Sequence, residues 1–336
     1  MPNYKYPYKV SFFKFLFNSS EITKNPIPFH KKYFNESNEG SFSIKPFFSK
    51  QIILTKDAEL AKHILQKHHK VYEKSKLQTK FLSKYIGYGL LTSTGDYWLQ
   101  QRRLIQPAFH KEKINNLVAI INQTVNEQIK NLKSDDFVQL YPLMNELAFQ
   151  VVAKSLFNYS AEKHTLKRLQ VIIETLQKFI VKDIRQPHKR LWFILKGDIK
   201  HNMKLVKESR AIINNIIETR RASTEEHDDL LDMLLKAKYE DGTSMTNTQL
   251  IDEILILFVA GHETTANALT FTLFLLANNK KELNKAKSES VNLDNNTLAF
   301  ETLPKLNFIK MCVEESMRLY PSAWITDRVA LEDDVL

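Results

Sequence analysis

The sequence has one cysteine, Cys312, in 336 residues. A lone thiol excludes an intrachain disulfide and any zinc or iron–sulfur site built from several cysteines, and it fits a reducing compartment. Glycine and proline are also scarce, at 7 and 10 residues. So few breakers leave little room for the tight turns of an all-β protein and favour long helices. Long hydrophobic runs are missing near the start. The aromatic stretch from Val10 to Phe17 is interrupted by Lys14, and it falls far short of the roughly 20 apolar residues that span a bilayer. It predicts no transmembrane anchor, and without a small-residue cleavage pattern behind it no signal peptide. A cytoplasmic location is the expectation.

What is present is an ordinary globular composition, 43% hydrophobic and 26% charged, enough for a sizeable core. Lys and Arg exceed Asp and Glu by 48 to 38, a formal charge of +10. Such an excess raises the question of a nucleic acid partner. The distribution argues against one, because basic residues are interleaved with acidic ones, as Glu282 is within Lys280 to Lys287. A lysine-rich solvated surface accounts for the charge, with a docking face for a small acidic electron carrier as the alternative.

Residues 41 to 54 alternate in two short β-rich pieces around Pro46 and read as a small hairpin. Thr55 is the expected cap of a following helix with Asp57 in its first turn and Leu60, Ile64 and Leu65 as its apolar stripe. Apolar spacings of three and four then predict amphipathic helices from Trp98 to about Lys130, Leu140 to Phe157 and Thr165 to Val181. A shorter helical segment spans Asp229 to Ala237, Asp241-Gly242 marks a turn, and a long helix begins near Thr246 and runs to about Ala277. No repeat or low-complexity linker divides the chain, so one mostly helical domain over 1–336 is expected.

Ile254 to Ala266 is apolar nearly all round, which predicts a helix through the interior. Its middle breaks the rule. Gly261 costs about 1 kcal/mol against alanine in a helix, Glu263 places an ionisable group where burial is expensive, and Thr264 can bond back to the carbonyl of Ala260. A groove edged by a hydroxyl and a carboxylate is what a diatomic ligand and a proton relay need. The competing reading is a glycine that lets a neighbouring helix pack closely. His262-Glu263 also begins like the His-Glu-x-x-His zinc motif, but Ala266 stands where the second histidine is required.

Two further patterns flank this helix. Glu315 and Arg318 lie three apart, followed by Leu319-Tyr320-Pro321, where the proline ends the helix. Trp98 and Arg102 lie four apart on one helix face, and both are pure donors suited to a carboxylate.

In this order the three motifs resemble those of the cytochrome P-450 family, the haem-thiolate monooxygenases. The resemblance covers the chain from the early hairpin to Leu336. It implies a mainly α fold with a small N-terminal β-sheet, incomplete at the C-terminus, and haem b (iron protoporphyrin IX) as cofactor. It implies insertion of one atom of O2 into a small apolar organic substrate.

By the same resemblance, Thr264 stands beside O2 at the haem and passes protons, and Glu263 relays them to solvent. Ala260 and Gly261 flank the haem, while Trp98, Arg102 and, less specifically, Arg328 hold its propionates. Glu315 and Arg318 form a buried structural ion pair. Leu90 and Leu91 line the distal pocket, with two plain core leucines as the alternative.

The family's axial cysteine follows the Glu-x-x-Arg helix in a glycine-containing loop, which these residues do not include. No metal ligand is therefore assigned, and Cys312, inside that helix, reads as an inert thiol. The 336 residues alone are expected to be inactive, to give no thiolate-type band with carbon monoxide, and to aggregate through uncovered apolar surface. Gly87-Tyr88-Gly89 is followed by Thr92 where a nucleotide motif needs a third glycine. Electrons must then come from a separate partner protein of the ferredoxin, flavodoxin or reductase type, or from the portion of the enzyme that these residues do not include. A non-catalytic helical binding protein or remnant is the second hypothesis, and a zinc hydrolase the third.

Overall fold

The computed structural model describes residues 7–37, 40–45, 51–130, 132, 137–157, 163–225, 227, 229–291 and 299–335. The chain opens with β1 (Tyr8–Val10), α1 (Phe12–Phe17), α2 (Ser19–Lys24), α3 (Ile27–Glu36), β2 (Ser41–Ile44), β3 (Ile52–Thr55), α4 (Ala58–Lys62) and β4 (Tyr72–Glu73). Helices α5 (Ser83–Ile86), α6 (Gly95–Ile105), α7 (Lys111–Ile129), α8 (Leu140–Phe157), α9 (Lys163–Arg185) and α10 (Arg190–Leu195) follow. The last elements are α11 (Asp198–Ala222), α12 (Leu230–Lys236), α13 (Asn247–Asn278), α14 (Lys280–Val291), α15 (Asn307–Leu319) and β5 (Val329–Ala330).

Two compact units account for these residues. One comprises Met1–Ser75, Lys178–His201 and Asp327–Leu336, and the other Lys76–Gln177 and Asn202–Thr326. The chain passes between them several times, so neither unit is a contiguous segment set off by a linker.

In the first unit β2 and β3 pair antiparallel, Ser41 opposite Thr55 and Ile44 opposite Ile52, which is the expected hairpin. Pro46 lies outside the described residues. β1 adds a parallel edge to β2 that local pattern did not reveal. Phe29 and Tyr33 of α3 close over Val10, Phe42 and Ile44 to make this unit's core. The aromatic run near the start forms only the short α1, with Phe13 and Phe17 exposed.

The helix after the hairpin is capped differently from expectation. Asp57 is the N-cap and accepts from the amides of Glu59 and Leu60, while Thr55 remains in the strand and accepts from the Asp57 amide at 3.0 Å. The Asp57 side chain holds two amides at the helix terminus, where a hydroxyl two residues earlier reaches neither. The helix also changes pitch, with a π-helical turn over His63–Lys67.

The second unit is built on α13. Thr246 and Gln249 form a reciprocal capping box at its start. The first half is buried, with Leu250, Ile251, Ile254, Leu255 and Phe258 packed among Phe149, Ala153, Leu156 and Phe157 of α8 and Ile213, Ile216 and Ile217 of α11. Phe149 and Phe258 stack at 5.6 Å. By length and composition α13 is the one described helix able to cross a membrane, but this buried half is the core of the unit. α8 matches its predicted limits, whereas the expected helix from Trp98 to Lys130 is two helices. Pro107, which lacks an amide donor, sits in the 3-10 turn Gln106–Phe109 that separates them.

Behind α13 lies a buried charge cluster. Arg220 of α11 donates to Asp229 at 2.9 Å, to Asp232 at 2.6 Å and to the Phe157 carbonyl at 3.1 Å. Asp229 also caps α12 through the Asp232 amide at 2.9 Å, so one guanidinium ties the ends of α8, α11 and α12 together.

Candidate active site

Midway along α13 the packing stops on one side. Ala260, Glu263, Thr264 and Thr265 are exposed, although Phe258, His262 and Ala266 between and beside them are buried. At about 100° per residue, Ala260 and Thr264 lie on the same face. This face carries small side chains at its centre, and they are exposed. The Thr264 hydroxyl donates to the Ala260 carbonyl at 2.6 Å, the back-bond expected from sequence.

Gly261, half-buried beside that face, also meets α8. A Cβ there would lie 3.2 Å from Cγ2 of Val152, so the glycine's place is against α8. A glycine here gives α8 room to approach, as the close-packing alternative expects. His262 turns inward, edge-on to Phe149 at 5.4 Å, with Nε2 at 3.1 Å from the Asn145 carbonyl. Burial pushes its pKa down, which keeps the ring neutral. Glu263 extends towards Tyr141 of α8, whose phenol is pushed up by burial and then by the carboxylates of Glu263 and Glu174.

The helix of the Glu-x-x-Arg motif reaches the same stretch of α13. After α15, Ser322 donates to the Thr264 carbonyl at 2.8 Å, and Tyr320 stacks flat on Phe271 with centroids 4.4 Å apart. The pair itself forms as a two-pronged bond, Arg318 to Glu315 at 2.6 and 2.7 Å. It is exposed, with side-chain accessibilities of 67% and 54%. The expected burial is therefore corrected: of this stretch only Ser316 is buried. Pair formation is a local i, i+3 property, whereas burial depends on surfaces that pack over it. Met317, Leu319, Trp324 and Ile325 are exposed alongside. Cys312 is half-buried on α15, and its thiol is pushed up by burial and then by Glu282 and Glu289. Both effects favour the thiol over the thiolate.

On α6 the Arg102 guanidinium sits 5.9 Å from the Trp98 ring centroid, so the two donors share a face as predicted. Arg102 is exposed and pairs with no carboxylate among the described residues. The adjacent face anchors the helix, Gln101 donating to the Tyr239 hydroxyl at 2.5 Å. Arg328 belongs to the first unit, where it donates to the Asp327 carbonyl at 2.6 Å.

The loop before α6 is held on α13 by two acids that sequence reasoning passed over. Asp252 accepts the Tyr88 amide at 2.8 Å and is paired with Arg210, and Glu253 accepts the Leu90 amide at 3.1 Å with both oxygens. Both acids are buried. Thr92 closes the loop by donating to the Gly87 carbonyl at 2.7 Å. Leu90 packs against the core and Leu91 is 36% exposed, so the two leucines differ in environment. Adjacent acids in an apolar helix were the available signal, since buried carboxylates require partners.

The family model for cytochrome P450 proteins, written here cytochrome P-450, matches residues 5–336. The chain belongs to the cytochrome P-450 family. It is 29% identical to cyclooctat-9-en-7-ol 5-monooxygenase of Streptomyces melanosporofaciens, over 75% of this chain and 55% of that protein. It is 32% identical to a cytokinin hydroxylase of Arabidopsis thaliana, over 82% of this chain and 57% of that one. The chain thus spans about half the length of the curated relatives it matches. The solved structure of retinoic acid bound cyanobacterial CYP120A1 superposes with a TM-score of 0.78 at 22% identity, covering 92% of this chain and 68% of that one. That likeness establishes the cytochrome P-450 fold, mainly helical with a small sheet.

Haem is the group this family implies, and the donor set can be tested for it. The open Ala260–Thr264 face and the unpaired Arg102 fit the oxygen side and a propionate. The sole cysteine does not fit as axial ligand.

Proposed function

We propose that these 336 residues are part of one cytochrome P-450 domain, in a haem-dependent monooxygenase that inserts one atom of O2 into a small apolar organic substrate. The observation that carries this reading is the exposed face of small residues at Ala260 and Thr264, where the buried first half of α13 ends. When bound, haem b supplies the electron-transfer and oxygen chemistry that amino-acid side chains lack.

The chain's own residues supply position and protons. Thr264 holds a proton on Oγ1 and releases it from the Ala260 carbonyl when a better acceptor arrives on the open face. Glu263, exposed one residue earlier, exchanges protons with solvent. Trp98 and Arg102 would hold the haem propionate oxygens as donors. Leu90 and Leu91, on the loop that Asp252 and Glu253 anchor, shape the substrate side. Electrons come from a separate donor protein of the ferredoxin, flavodoxin or reductase type, in the cytoplasm.

A second reading is a non-catalytic helical binding protein, which fits a sole cysteine that lies within α15. Thr264→Ala in the full-length enzyme separates the two. The monooxygenase reading predicts that electron consumption continues while product per electron falls by about 10-fold or more, the scale of a lost proton donor. Unchanged product yield per electron contradicts the role given to Thr264.

A further inference from the structure

Outside the haem face, the first unit gathers two imidazoles and a carboxylate on one spot. Ligand atoms of His63, His68 and Asp334 all lie within 4.8 Å of one another. The cause is the π-helical turn. In an α-helix, residues five apart point about 140° away from each other. The wider turn over His63–Lys67 closes with the His68 amide on the His63 carbonyl at 2.8 Å, and brings the rings into a stack 4.0 Å apart at 18°. Inserted π turns of this kind recur at functional sites.

Asp334 arrives from the far end of the sequence, beside β5, whose pairing with β4 fixes Tyr72 opposite Ala330. Its Oδ2 lies 2.8 Å from Nε2 of His63 and accepts the Tyr72 hydroxyl at 2.9 Å. The bonds from His63 and then Tyr72 hold the carboxyl below the usual carboxylate range. Burial and the bond to Asp334 push the Tyr72 phenol up to about 12, so it remains a donor. Metal-binding carboxylates are commonly oriented by just such an outer hydrogen bond. His69, by contrast, is turned away, with Nδ1 at 2.8 Å from the Gln66 carbonyl.

We propose that His63, His68 and Asp334 bind a divalent transition-metal ion of the zinc class. Two imidazole nitrogens and one carboxylate oxygen are the donors of Zn2+, Co2+ and Fe2+ sites, and a poor set for Ca2+ or Mg2+, which take oxygen ligands. Lys62, Lys67 and Lys70 nearby in sequence add to the disadvantage of a purely electrostatic, oxygen-only cation site. Three protein ligands leave a fourth tetrahedral position to water, reached through the exposed His68. The ion lies between His63 and Asp334, and clips the 329–334 segment to the helix of residues 58–67.

The test is calorimetric titration of the chelator-treated chain with Zn2+, with Co2+ absorption as a report on coordination. The inference predicts one saturable equivalent and a tetrahedral Co2+ spectrum. Tyr72→Phe weakens binding by about 10-fold and His68→Gln or Asp334→Asn by about 100-fold. His68 is exposed, so H68Q leaves the circular dichroism of the chain unchanged, and Cys312→Ser leaves affinity unchanged. Absence of saturable binding, or equal affinity in H68Q and the unsubstituted chain, overturns the site.

Discussion

Arg220→Ala is expected to lower the unfolding free energy by about 3–5 kcal/mol, the range for removing one partner of a buried ion pair. The guanidinium is 3% accessible, and its partners Asp229 and Asp232 are 0% and 9% accessible. Without it two carboxylates remain in the interior with no cation, and the Phe157 carbonyl loses its donor. The loss falls where α8, α11 and α12 meet, so it separates elements instead of loosening one. A denaturant titration followed by circular dichroism measures it. A change below about 1 kcal/mol, typical of an exposed pair, contradicts the arrangement. Arg220→Ala combined with Asp229→Asn and Asp232→Asn recovers part of the loss, because it is uncompensated charge that is costly.

The second large effect is at Gly87, which adopts φ 90° and ψ 177°. That region is open essentially to glycine alone, at a cost of about 1–3 kcal/mol for any other residue. An added Cβ would also lie 2.7 Å from the Cβ of Asp252, an atom too near the helix backbone to retreat. Gly87→Ala is therefore expected to destabilise the chain by about 3 kcal/mol, combining strain with overpacking. It also lifts the loop that holds Leu90 against the core. In the full-length enzyme the same change weakens substrate binding, since the loop shapes that side of the site. Unaltered stability in thermal unfolding contradicts this account of the loop.

Much of the architecture is legible from periodicity. α8 and α13 are long, apolar and cleanly bounded, and Thr246 with Gln249 announces the start of α13. The Thr264 back-bond and the Trp98–Arg102 pairing follow from spacings of four, which geometry converts directly into neighbours. What was not legible depends on partners distant in sequence. That a Cβ on Gly261 would meet Val152 depends on where α8 approaches. Glu315 and Arg318 meet as expected, but their exposure is set by what covers α15. The histidines at 63 and 68 share no face in an α-helix, so only the π turn makes them neighbours. Asp252 and Glu253 look like helix surface until the loop amides they bind are seen.

The central claim is that the Ala260–Thr264 face receives the haem. Its most direct test is a haem titration of the full-length enzyme followed in the Soret region, comparing it with its Ala260→Phe and Arg102→Gln variants. The account predicts one haem per chain, bound about 10-fold or more weakly once the phenyl ring fills the open face, with helicity unchanged, and a smaller loss when a propionate donor is removed. Binding indifferent to A260F, or no haem bound at all, would contradict it.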